Sequence, residues 1–108
     1  MIKYSDNFLK EAKKLSKKFK LLKQDLQDAV KEIGLQQDLG AYLGYSLYKK
    51  RIKNSSIPTG KSGGFRIIIY KELGNSIVLI SIYSKTNQDT ISDDELKLLV
   101  KEFIENES

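Results

Sequence analysis

The sequence predicts an α+β fold: an N-terminal helical hairpin packed on a small antiparallel β-sheet, with a C-terminal helix, in the order β-α-α-β-β-β-α. Three observations carry this. Two consecutive stripes of apolar residues at helical spacing occupy the first third of the chain. From Phe65 to Lys85, two β-branched runs flank a Gly-Asn pair. A capping pattern near Ser92 then opens a last helical stripe. With 108 residues and 40% apolar content, the chain suffices for one domain, residues 1–108, with a single modest core.

Element by element, IKY near the start reads as a short strand, and Asp6 is placed to cap the helix that follows. Phe8, Ala12, Leu15 and Phe19 form its apolar stripe, with Lys10, Lys13, Lys14, Lys17 and Lys18 largely off it. Leu22, Leu26, Ala29, Val30 and Ile33 form a second stripe that is expected to end at Gly34. QQDLGAYLGYS reads as a linker with two glycines, and SLYKKRIKN as a heavily charged strand. NSSIPTGKSGG is the longest run of turn-forming residues and holds the only proline. FRIIIYK and IVLISIYSK then make a hairpin closed at Gly74-Asn75. In the final helix Ser92 and Glu95 have capping-box spacing, Ile91 and Leu96 staple spacing, and Leu96, Leu99, Val100 and Phe103 share a face.

Composition excludes several chemistries. The chain has no cysteine and no histidine, so disulfides, Cys/His zinc sites and every imidazole-based mechanism are ruled out, and neither metal nor cofactor is expected. No apolar run is long enough to cross a membrane and the N-terminus lacks a signal-peptide core, so a cytoplasmic protein is expected. Charge is unevenly spread: residues 1–88 hold 17 Lys and Arg against 7 acids, and residues 89–108 hold 2 against 7. A basic body fits a polyanionic partner, nucleic acid first. Solvation alone accounts equally well for the lysines of the N-terminal helices.

TGKSGGFRIIIY, residues 59–70, contains the Gly-Lys-Ser of a phosphate-binding loop. The P-loop pattern needs another glycine five residues before Gly60, where this chain has Ser55, and it opens into a helix, whereas here a β-branched run follows. Strand alternation puts Phe65, Ile67 and Ile69 on one face and Arg66, Ile68 and Tyr70 on the other. In the next strand Val78, Ile80 and Ile82 are expected to share a face, opposite Leu79, Ser81, Tyr83 and Lys85. A two-residue turn sets Arg66 across from Tyr83. Lys49, Arg51 and Lys53 share a face at period two. Four segments thus send cations or a tyrosine to one end of the sheet, with no carboxylate expected beside them, which points to a bound phosphate with an aromatic platform.

GKSGGFRIIIY followed by LISIYSK resembles the RelE/ParE toxin superfamily, specifically its HigB-like branch, through G-K-x-G-G-x-R-x-x-x-Y and then Y-x-K. SLYKKR is similar to that branch's L-x-K-x-R strand, with Lys49 and Arg51 at the matching positions, and TISDDEL fits its helix start; the branch often carries arginine where this chain has Tyr48. The resemblance spans residues 47–100. It implies the toxin of a bacterial type II toxin–antitoxin pair, a ribosome-dependent mRNA endonuclease, neutralised by an antitoxin that is usually a helix-turn-helix protein. Carried over, Lys61, Arg66, Tyr83 and Lys85 are the expected catalytic residues and Lys49 and Arg51 expected RNA-binding ones; Lys53, which shares their strand face, is expected to bind RNA with them.

The chemistry is consistent with those residue types. Cleavage by the RNA's own 2′-hydroxyl requires removal of its proton, stabilisation of a charged phosphorane and a proton for the departing 5′-oxygen. A lysine at its ordinary pKa of about 10.4 must give up roughly 4.6 kcal/mol to be neutral at pH 7, a cost that clustered cations lower. Arg66 is assigned to transition-state charge, Tyr83 to stacking or proton transfer, and Lys61 or Lys85 to base and acid. Three rivals stay open: a gyrase-inhibiting toxin without catalysis, an RNA-binding module stacking bases on Tyr70 and Tyr83, and a toxin with a degenerated site.

Overall fold

The computed structural model describes residues 2–36, 38–58, 64–72, 74, 76–85 and 91–107. β1 (Ile2–Tyr4) leads into α1 (Asp6–Lys18) and α2 (Leu22–Gln36); β2 (Ala41–Gly44), β3 (Leu47–Ile52), β4 (Phe65–Lys71) and β5 (Ile77–Ser84) follow, and α3 (Asp93–Glu107) ends the chain. The strands form one five-stranded sheet in the order β1-β5-β4-β3-β2. β1 runs parallel to β5 and the other neighbours are antiparallel, so the sheet is mixed and has one strand more than expected. The α+β class and the placement of the helical hairpin agree with the sequence reading.

Several boundaries differ for local reasons. Ser5, not Asp6, caps α1: its Oγ accepts from the Phe8 N–H at 3.0 Å, and Asp6 sits in the first turn, where its charge complements the helix dipole. α2 runs through Gly34 to Gln36, because the roughly 1 kcal/mol a mid-helix glycine costs is outweighed by burial of Ala29 and Ile33. The expected linker contains β2, which pairs with β3 through a turn whose two residues, Tyr45 and Ser46, both have positive φ, 55° and 62°. Two glycines and a left-handed Tyr-Ser pair hide a hairpin from a pattern search that expects Asn-Gly.

Helices cover both faces of the sheet. α1 and α2 bury Phe8, Phe19, Leu22 and Ile33 against Ile52, Phe65, Ile67, Ile69, Leu79 and Ile82. α3 lays Leu96 and Phe103 over Leu47, Ile68, Val78, Ile80 and Tyr83 on the other face. Its start matches expectation: Ser92 Oγ accepts from the Glu95 N–H at 3.2 Å, and Ile91 packs on the same cluster as Leu96. No helix among the described residues is long and apolar enough to cross a membrane.

The β4–β5 hairpin contains a compensation. Lys71 pairs with Ile77 and the Glu72 N–H donates to Ser76 O at 2.8 Å, so the connection spans residues 73–75, one more than the expected pair. Of these only Gly74, with φ 87°, lies among the described residues. A one-residue bulge between Ile68 and Ile69 on β4 and across from them on β5 then restores the register, and Arg66 faces Tyr83 as expected. The same bulge overturns the expected faces of β5: Val78 and Ile80 pack under α3 together with Tyr83, whereas Leu79 and Ile82 face the helical hairpin.

Candidate functional site

β3, β4 and β5 bring Arg51, Arg66 and Tyr83 into one cross-strand row: Arg51 is the partner of Arg66, and Arg66 of Tyr83. Directly opposed residues in antiparallel strands lie about 4.5–5.5 Å apart at Cα, and their side chains share a face. That face is the one carrying Ile68, Tyr83 and α3. Arg66 is 2% and Tyr83 6% exposed, whereas Arg51 is exposed, so the row runs from solvent into the protein. The Arg66 guanidinium donates to the Phe65 carbonyl at 3.3 Å, which orients a cation that is out of water.

The remaining expected residues surround this row unevenly. Lys49 lies two positions from Arg51 on the same strand face, roughly 6.5 Å away, and is half-buried; Lys53 is exposed just past the end of β3. Lys85 follows β5, and its N–H donates to Gly64 O at 3.1 Å, which draws the start of β4 to the end of β5. Lys61 and most of the glycine motif lie outside the described residues. Gly64, the last of that motif, is described: a Cβ there would run into Ile52 O and lie 3.1 and 3.2 Å from Ile52 C and Asn54 N. The glycine permits the close backbone approach that seats Arg66 beside β3.

Acids come closer than the sequence reading allowed. Asp25, Asp28 and Glu32 of α2 line a shallow groove together with Arg51 and Lys53. No carboxylate is expected beside these cations from their own segments, but the packing of α2 on the sheet supplies three. Among the described residues, Lys49, Arg51, Lys53 and Lys85 nevertheless make no ion pair within 4 Å. Lys50, on the opposite face of β3, is the paired one: it is nearly buried and reaches Glu32 at 3.1 Å and Asp38 at 3.4 Å.

Two acids that strand-by-strand reading passed over support the site. Asp25, 6% exposed, accepts from the Ser55 N–H at 2.8 Å and from Ser55 Oγ, and Ser56 Oγ accepts from the Leu21 N–H at 3.0 Å. The chain leaving β3 is thereby anchored to α2 before it enters the glycine stretch. Glu11, on α1, accepts from Ser81 Oγ at 2.8 Å and from the Ile82 N–H at 3.3 Å. Burial raises its carboxyl above the usual glutamate range, opposed by its hydrogen bonds to Ser81, Ile82 and Asn7. The one available signal was that Glu11 is the only acid among the lysines of α1 after its first turn.

With this geometry in place, the comparison with known families is decisive at the level of class. A family model described as the RelE toxin of the RelE / RelB toxin-antitoxin system matches residues 7–104, from the first turn of α1 to the last turns of α3. The chain belongs to the RelE family and is the toxin component of a toxin–antitoxin system, which implies a cognate antitoxin as its partner. No individual curated protein matches it significantly.

Proposed function

We propose that this toxin is an mRNA endonuclease of the HigB-like kind that acts on translating ribosomes and cleaves by attack of the RNA 2′-hydroxyl. The observation that carries the reading is the Arg51–Arg66–Tyr83 row, with Arg66 withdrawn from water between an exposed cation and a buried phenol ring. A guanidinium held in a low-dielectric setting interacts with a developing phosphorane far more strongly than one in water, and needs no reorganisation as charge builds. Arg51, Lys49 and Lys53 hold the flanking phosphates. Tyr83 orients the nucleotide or relays a proton, and Lys85 with Lys61 serves as the acid–base pair.

The partner set follows from the same charge. An antitoxin that silences such a site must present acidic groups to it, and a helix-turn-helix protein encoded nearby is the proposed source. The reading is tested by inducing the toxin and mapping mRNA 5′ ends by primer extension. New ends that require translation are expected; arrested replication with intact mRNA would favour the gyrase-inhibiting alternative instead. Arg66 is buried, so Arg66→Ala opens a cavity as well as removing a charge. Arg66→Lys is the cleaner variant, since it keeps charge and most of the volume but loses the planar fork.

A further inference from the structure

The bulge in β5 decides which side chain faces Arg66. On its turn side, Tyr70 pairs with Val78 and Ile69 with Leu79; beyond it, Ile68 pairs with Ser81 and Arg66 with Tyr83. Continued without the extra residue, the ladder would set Ile82 against Arg66 and turn Tyr83 to the other face. A bulge also takes backbone groups out of the ladder, and these need partners elsewhere.

α1 supplies them. Ser5 Oγ donates to Ile80 O at 2.9 Å and Asn7 Nδ2 to the same oxygen at 3.0 Å. One oxygen of Glu11, Oε1, accepts from Ser81 Oγ, from the Ile82 N–H and, at 2.9 Å, from Asn7 Nδ2. These backbone partners all lie on residues 80 to 82. A carboxylate is held here against the cost of partial burial, and an apolar residue in its place would leave the Ile82 N–H without this acceptor.

We propose that Glu11 is a positioning residue: it clamps the β5 bulge, fixes the strand register and so sets Tyr83 beside Arg66. The functional half of this rests on the site proposed above; the register half does not. The chain has no cysteine, so register is measurable by cross-linking. Arg66→Cys with Tyr83→Cys reports the observed pairing, and Arg66→Cys with Ile82→Cys reports the slipped one, because a disulfide forms only between opposed Cβ atoms.

With Glu11 present, the first pair should oxidise readily and the second poorly. Glu11→Ala should lower the first yield by about tenfold, the scale set by losing one or two buried hydrogen bonds, and raise the second. Glu11→Gln, which keeps an oxygen at the Oε1 position, should restore the first. Asn7→Ala with Ser81→Ala loosens the same clamp without touching the carboxylate and should act in the same direction. An unchanged 66–83 yield in both weakened backgrounds overturns the clamp. In otherwise native chains, growth inhibition should fall with Glu11→Ala and recover with Glu11→Gln. A slipped register with undiminished toxicity would overturn the role given to Tyr83 while leaving the clamp standing.

Discussion

Replacing Gly64 with alanine tests how the glycine motif shapes the site. The new methyl would collide with Ile52 O and crowd Ile52 C and Asn54 N at 3.1 and 3.2 Å, all backbone atoms that cannot rotate away. β4 must therefore move off β3 at the end where Arg51 meets Arg66. Overpacking of this kind costs about 1–3 kcal/mol, and weakening the bond from the Lys85 N–H to Gly64 O adds about 1 kcal/mol. A total near 3 kcal/mol lowers the melting temperature of a domain this size by roughly 10–20 °C. Gly44→Ala is the control: Gly44 has φ 91°, and a methyl added to it would meet nothing within 4 Å, so only backbone strain of about 1–2 kcal/mol is expected. Thermal unfolding followed by circular dichroism reads both. A Gly64→Ala melting temperature no lower than that of Gly44→Ala would refute the close-approach argument.

Three further outcomes follow from the structure. Folding raises Glu11 above its ordinary value of 4.5, so its contribution to stability is fully present below that value and is lost as pH rises through the raised folded value. Glu11→Gln removes this dependence, and urea titrations should show its stability gaining on wild type from about pH 4 toward neutrality; a constant difference would contradict the shift. Phe19 packs edge-on against Phe65 at 5.3 Å and joins the helical hairpin to β4, so Phe19→Ala should cost about 3–5 kcal/mol by chemical denaturation. Lys50→Met should change stability by less than about 1 kcal/mol, because Glu32 and Asp38 are 37% and 59% exposed and can turn to water; a loss matching that of Phe19→Ala would show the ion pair to be structural.

The parts of this fold legible in the sequence were those set by period and local chemistry. The hydrophobic stripes of α1 and α2, the alternation in β4 and the Ser92–Glu95 cap each follow from a few neighbouring residues. β2 was hidden because its pairing depends on Tyr45 and Ser46 accepting positive φ, which side-chain type alone does not announce. The bulge is a tertiary product: α1, lying across β5, satisfies Ile80 O and the Ile82 N–H. Arg66 stands opposite Tyr83, as a two-residue turn with an unbroken ladder predicts, because the longer turn and the bulge offset each other. The acids of α2 beside Arg51 and Lys53 were invisible for the same reason, since their approach is set by helix-on-sheet packing and not by sequence proximity.

The most direct test of the account is cleavage of a defined mRNA on translating ribosomes by wild-type toxin and by Arg66→Lys, with folding of both verified by circular dichroism. Wild type should release a 5′ fragment ending in a 2′,3′-cyclic phosphate, the product of 2′-hydroxyl attack. Losing the planar guanidinium fork should slow that step by about 100-fold or more, the scale of removing one transition-state hydrogen-bond donor. A folded Arg66→Lys toxin that cleaves at the wild-type rate would contradict the site, and a wild-type toxin that leaves translated mRNA intact would contradict the activity itself.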